Sequence, residues 1–121
     1  MKITIIGKVI SKKNSKQIGV NKYTNRVYFT SSKAWKVFEE DALNQLLQYR
    51  NQDHFEGKIR IDYVFYYKNK GWLDVDNAMT GINDLLQDSG IIRNDRDIKK
   101  GRFDIIEGVE DWKTELEISY V

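Results

Sequence analysis

The sequence predicts an α+β fold, a mixed sheet with two main helices packed on it, and three observations carry that prediction. One segment alternates apolar and polar residues over a full strand length, two longer segments repeat apolar residues at helical spacing, and the element order is strand, hairpin, helix, strand, helix, strand, strand. At 121 residues there is material for one core only, so residues 1–121 read as a single domain.

Lys2 to Ile10 reads as the first strand, with Ile3, Ile5 and Val9 on one face. Ser11 to Gly19 is polar and lysine-rich and reads as a loop. Val20 to Phe29 predicts a hairpin around Thr24-Asn25, because β-prone Tyr23, Val27, Tyr28 and Phe29 flank a turn-forming pair. Thr30-Ser31-Ser32 offers hydroxyl caps for a helix whose apolar stripe is Trp35, Phe38, Ala42, Leu46 and Tyr49. Lys58 to Lys68 is the clearest strand, with Ile59, Ile61, Tyr63, Phe65 and Tyr67 on one face. Asp76 to Asp88 predicts a second helix that turns Ala78, Ile82, Leu85 and Leu86 inward and closes at Ser89-Gly90. Two strands follow, Ile98 to Glu107 and Lys113 to Val121, the latter alternating Leu116, Ile118 and Tyr120.

Composition narrows the function. Hydrophobic residues at 40% and charged residues at 31% exclude wholesale disorder. The absence of cysteine excludes a disulfide framework, a thiolate zinc site and a cysteine nucleophile, and suits a reducing compartment. The apolar runs are too short to span a bilayer and the chain opens on a strand-like segment rather than a signal sequence, so a soluble cytoplasmic protein with no membrane partner is expected. The net charge of +2 hides an asymmetry: residues 1–38 carry nine basic and no acidic side chains, whereas the remainder carries eleven basic and eighteen acidic ones. A basic third beside an acidic remainder suggests a polyanion-facing surface coupled to carboxylates, the plainer alternative being a solvated face of uneven charge.

The chemistry concentrates in Asp74-Val75-Asp76-Asn77, where the exit of the alternating strand meets the second helix. In extended backbone, residues two apart point the same way, so Asp74 and Asp76 would present two carboxylates to one cation. Magnesium suits such a pair, since it takes one or two carboxylates and fills its remaining positions with water and phosphate oxygens. Helix capping explains the same residues differently, with Asp76 as the N-cap and Asp74 as a favourable charge beside it. A calcium loop of the EF-hand type is excluded, because its glycine and glutamate positions hold Met79 and Leu85. A third carboxylate, Asp95, follows the second helix; that helix carries the chain about 20 Å away, so Asp95 rejoins the pair only if the connection folds back. His54, the single histidine, lies in a polar segment and reads as surface decoration rather than a general base.

Trp72-Leu73-Asp74-Val75-Asp76-Asn77, an amphipathic helix, Gly90-Ile91-Ile92 and then Asn94-Asp95 together resemble the RusA family of crossover-junction endodeoxyribonucleases, the Holliday junction resolvases of phages and prophages. The interval of twenty-one residues from Asp74 to Asp95 fits as well. The Lys12-Lys13-Asn14-Ser15-Lys16 loop, the first helix, the long strand and the C-terminal strand fall in the same order. The resemblance implies a RusA-like fold and a homodimer that binds four-way DNA junctions in recombination and repair. It further implies paired, symmetric cuts made with Mg2+ or Mn2+, for which Asp74, Asp76 and Asp95 are the catalytic, metal-binding carboxylates.

The sequence departs from the family in three places. Thr80 stands where a catalytic lysine is usual, Leu73 replaces a basic residue before the first Asp, and the proline-rich turn after the first strand is missing. Lys70, Arg93, Arg96 or the Lys12-Lys13-Lys16 loop would have to supply the lost charge. Phosphate contact is expected of Lys12, Lys13, Lys16, Lys22, Arg26, Lys33, Lys70, Arg93 and Arg96. Tyr23, Tyr28 and Lys36 share the aromatic and basic segment with several of these, while Trp35 reads as core. Two alternatives remain beside the nuclease: a non-catalytic DNA-binding relative in which Thr80 has cost cleavage, and a small interaction protein whose carboxylates only cap a helix.

Overall fold

The main sheet is assembled around β4 (Ile59–Tyr67), whose burial follows the alternation in its sequence: every second residue from Ile59 to Tyr67 is buried and those between are half-buried. The computed structural model describes residues 1–10, 16–31, 33–50, 54–68 and 73–121, with residues 16–19 and 27–31 described by their backbone. On one side β4 runs antiparallel to β7 (Lys113–Tyr120), with Ile61 opposite Ile118 and Tyr63 opposite Leu116. β7 in turn pairs antiparallel with β1 (Lys2–Ile6). On its other side β4 is parallel to two short strands that share one edge, β5 (Ile98–Lys100) and β6 (Phe103–Glu107). The result is the mixed sheet that the sequence predicts, here of five strands, with β2 (Lys16–Val20) and β3 (Val27–Ser31) forming a separate antiparallel hairpin.

Five local expectations are corrected. The first strand stops at Ile6 rather than Ile10, because Gly7 takes φ +121° and donates its N–H to Trp112 O, although Val9 is still buried. Lys16 to Gly19 is strand rather than loop, and the hairpin turn is longer than Thr24-Asn25: Asn21 Oδ1 accepts from the N–H groups of Tyr23 and Thr24, and Asn25 sits at φ +56°. Ile98 to Glu107 is two strands, broken at Gly101-Arg102, where Arg102 donates its N–H to Asp62 Oδ1 and accepts from Tyr63 N–H. At the end of β7, Tyr120 is largely exposed, with its ring 5.2 Å from that of Phe55.

The helices cover one face of the sheet. α1 (Lys33–Leu46) buries Trp35, Phe38, Ala42 and Leu46 of the expected stripe and then tightens into a 3-10 turn over Leu47–Tyr49, in which the last member, Tyr49, is only half-buried. Of its expected caps, Ser32 lies outside the described residues, and Thr30 and Ser31 belong to β3. α2 (Val75–Asp88) buries Ala78, Ile82, Leu85 and Leu86, and adds Gly81. A β-carbon at Gly81 would stand 3.1 Å from the Trp35 ring, so the missing side chain is what lets the two helices meet there. β1, β4, β7 and both helices contribute to one continuous apolar cluster.

Two tyrosines of β4 carry their hydroxyls into this interior. Tyr63 O–H donates to Asn83 Oδ1 at 2.6 Å and Tyr67 O–H to Val9 O at 3.2 Å. Burial pushes both phenols up to about 12 from an ordinary 10.0. The folded state holds them neutral, so their contribution is complete below pH 10 and is lost as pH climbs towards 12, where the unfolded chain gains by ionising. Tyr63→Phe and Tyr67→Phe are expected to flatten the fall in urea midpoint between those pH values, even where the lost hydrogen bond costs about 1 kcal/mol at neutral pH. Parallel alkaline limbs for variants and parent would refute this.

Candidate functional site

β1 and β4 are both antiparallel to β7 and therefore parallel to each other, so they leave the sheet at the same end. Tyr67, at the tip of β4, bonds Val9 O just beyond β1, and Ile10 O lies 3.8 Å from the position of a β-carbon on Gly81. α2 runs back from this end. α1 does the same: Tyr49 bonds Thr4 and Gln45 bonds Ile6, while Ala34 and Val37 border a shallow groove with Gly7, Lys8 and Ile10. The N-termini of both helices, with their positive dipole ends, thus point towards the same end of the molecule.

Asp74 and Asp76 stand at the start of α2. The N-cap is Asp74, not Asp76: its Oδ1 accepts the Asn77 N–H at 3.3 Å and its Oδ2 accepts from Asn77 Nδ2 at 2.8 Å. The helix begins at Val75, so Asp76 belongs to its first turn and the extended backbone expected to align the pair is absent. Asp74 is half-buried and Asp76 exposed. Thr80, one turn on from Asp76, is exposed and donates its hydroxyl back to Asp76 O at 2.9 Å.

Asp95 is not brought to this pair within one chain. It lies in a 3-10 turn between α2 and β5, with its N–H donated to Gln87 Oε1 at 3.0 Å in the last turn of α2. Gln87 is eleven residues beyond Asp76, about 16 Å along the helix axis. β5 begins opposite Ile59, where β4 enters the sheet, so Asp95 sits at the other end of the molecule. Among the described residues, no group of three or more His, Asp or Glu is placed to hold a metal ion.

The expected cations divide in the same way. Lys33 is exposed in the first turn of α1, and Lys36 follows it; Lys8, just past β1, lies 5.0 Å over the Trp112 ring. Lys12, Lys13 and Lys70 fall outside the described residues, and Lys16 is placed in β2 by its backbone. Lys22 and Arg26 are exposed on the hairpin turn with Tyr23, which is 98% exposed. Trp35, in contrast, is core. Arg93 and Arg96 accompany Asp95 at the far end. Arg93 spends its guanidinium on Asp97, at 2.8 and 3.1 Å, and that bond holds the Asp97 carboxyl below its ordinary 3.8.

Three features escaped the sequence reading. Asn77 clamps Asp74 through both backbone and side chain, a pairing that the Asp-x-x-Asn spacing at a helix start could have signalled. Asp97, two residues past the expected Asp95, is the buried carboxylate of its segment, and its i,i+4 spacing from Arg93 was the available cue. His54 is exposed, as expected, but its Nδ1 lies 2.6 Å from Gly90 O, which ties its segment to the end of α2; nothing in the sequence pointed to that contact. No helix of the described residues is long and apolar enough to cross a membrane. Neither the protein-family models nor the curated proteins contain a match to this chain.

Proposed function

We infer that the chain is a metal-dependent endodeoxyribonuclease of the RusA type that cuts branched DNA, with the four-way junction as substrate. The observation that carries the reading is the convergence, at one end of the sheet, of the Asp74 and Asp76 carboxylates, the two helix N-termini and the chain leading into the lysine-rich segment. Asp74 and Asp76 suit Mg2+ or Mn2+, which accept two carboxylates and complete their shell with water and phosphate oxygens. Asp74 keeps lone pairs beyond the two bonds from Asn77, and Asp76 is exposed to incoming phosphate. A metal bound there would supply Lewis-acid polarisation of the scissile phosphate. Asp95, at the opposite end of its own chain, joins such a site only from a second copy, in keeping with the homodimer that the resemblance implies.

The protein's own groups divide the remaining work. Helix N–H groups and Lys33 attract and orient phosphate, and exposed Lys22, Arg26 and Tyr23 offer charge and a stacking ring to DNA beyond the cut. A second reading, a DNA-binding relative without cleavage, is favoured by one observation: the Thr80 hydroxyl is turned onto Asp76 O and brings no positive charge to the carboxylates.

The test incubates the protein with a labelled synthetic four-way junction and a matched linear duplex in Mg2+, Mn2+ or EDTA, scoring binding and cutting together. Paired nicks on the junction alone, lost in EDTA, are expected. Binding without nicks supports the second reading, and neither binding nor nicks overturns both.

A further inference from the structure

The helices cover one face of the main sheet, and the side chains that β1, β7, β4 and β6 turn to the other face are half-buried or exposed. The register divides this open face in two. Nearer the entry of β4, charges answer one another: Arg60 Nε lies 3.2 Å from Asp62 Oδ1, and Glu117, beside Asp62, stands opposite Lys2.

Towards the exit of β4 the same face turns apolar. Ile6 lies opposite Lys113, Lys113 opposite Tyr66, and Tyr66 beside Ile106, so one row crosses all four strands. Ile6 is 57% and Ile106 39% exposed. The lysine in the row is already engaged. Its Nζ sits 4.5 Å over the Tyr66 ring and 3.1 Å from Glu115 Oε1, while Tyr66 O–H donates to Glu115 Oε2. Just past the row, Val109 and Trp112 join Ile6 and Tyr66 in lining a groove of about 720 Å³.

Carboxylates flank the row on both sides. Asp104 lies inward of it, beside Val64, and Glu110 and Asp111 line the groove outward. Among the described residues none of these three enters an ion pair, whereas Lys8 is held over the Trp112 ring. The three carboxylates repel phosphate and so disfavour DNA here. They suit a partner that carries Lys or Arg on both sides of an apolar stripe.

The face also selects the partner's backbone. A sheet face offers no free N–H or C=O groups, so an extended segment laid on it would leave its inward groups unpaired, whereas a helix pairs its own internally. From β1 to β6 is three strand spacings, about 14 Å, a distance that about nine or ten helical residues span.

We propose that this face is the docking site for an amphipathic helix of another protein. The helix seats apolar residues at i, i+3, i+4 and i+7 on Ile6, Tyr66 and Ile106, and sets Lys or Arg against Asp104, Glu110 and Asp111. The site uses none of the groups assigned to DNA cleavage and stands whether or not the chain is a nuclease.

A display library of helical peptides, randomised on one face, is selected against the full chain, and the enriched peptides are synthesised and titrated by fluorescence anisotropy. Enriched sequences are expected to combine the apolar spacing with flanking Lys or Arg, and to bind less tightly as salt rises. Ile6→Lys with Ile106→Lys is expected to weaken them at least about tenfold, with circular dichroism showing the fold retained. Should that variant fail to fold, the turn between β6 and β7 decides the matter. There Glu110→Lys with Asp111→Lys weakens the basic peptides by a similar factor and admits counterparts with Glu in place of Lys. No enrichment, enrichment of acidic or uncharged peptides, or binding indifferent to both pairs of changes overturns the proposal. So does a parent dimer that Ile6→Lys with Ile106→Lys turns into a monomer, since the face would then lie between copies. Loss of junction binding in that variant overturns it too, since the face would then meet DNA.

Discussion

Asp76→Asn is expected to lower junction cleavage by at least about a hundredfold while binding stays the same or tightens. Asn has the shape of Asp without its charge, and Asp76 is exposed in the first helical turn, so the fold has little stake in the change. The loss would fall on cation binding, and DNA would approach more easily because one negative charge near its phosphates is gone. Asp74 allows the structural and chemical roles to be separated. Asn caps a helix about as well as Asp, so Asp74→Asn is expected to stay within about 0.5 kcal/mol of the parent in stability and still lose cleavage, whereas Asp74→Ala loses the cap as well, about 1 kcal/mol. Cutting by both Asn variants at the parent rate would sink the carboxylate mechanism and leave Asp74 as a cap only.

The largest expected effect on stability comes from Gly101→Ala. A β-carbon there would stand 1.9 Å from Ile61 O, far inside contact distance, and the obstacle is the backbone of the central strand rather than the tip of a mobile side chain. Either β4 shifts against β7, or the β5–β6 edge lifts away from it. We expect a loss of about 3 kcal/mol or more, read as a lower urea midpoint. Gly90→Asn is the control: nothing lies within 4 Å of a β-carbon at Gly90, and its φ of +79° at the end of α2 is one that Asn tolerates. A Gly101→Ala protein as stable as the Gly90→Asn protein would show that the edge is not seated where described.

The sequence made most of the fold readable because burial there follows period. β4 alternates over nine residues, and the α1 stripe recurs at the positions that the structure buries. The errors fall where a single long-range contact decides the outcome. Nothing local announces that Gly101 must pass the Ile61 carbonyl, so the strand break after Lys100 was invisible, and so was the stop at Ile6, which depends on Trp112 far along the chain. For the candidate site, the pair at the start of α2 was legible because strand exit and helix start adjoin in sequence. The position of Asp95 was not, since it depends on whether the chain after α2 enters the sheet parallel or antiparallel to β4. It enters parallel, which separates Asp95 from Asp76 by most of the length of a helix.

The placing of β7 bears on the order of events during synthesis. β7 follows every other strand of its sheet in the chain, yet it lies between β1 and β4 and pairs with both. While β7 is still inside the ribosome, neither of those strands has its neighbour, and the Met1 ammonium lacks Ile118 O, the acceptor it meets at 2.7 Å. The β2–β3 hairpin and the β4–α2–β6 unit use contacts nearer in sequence and can form earlier, whereas joining β1 to the rest waits for Lys113–Tyr120 to emerge. A nascent chain stalled before β7 would therefore expose one long edge of β4 and the edge of β1 that β7 later covers, the state in which this protein is most open to wrong pairing.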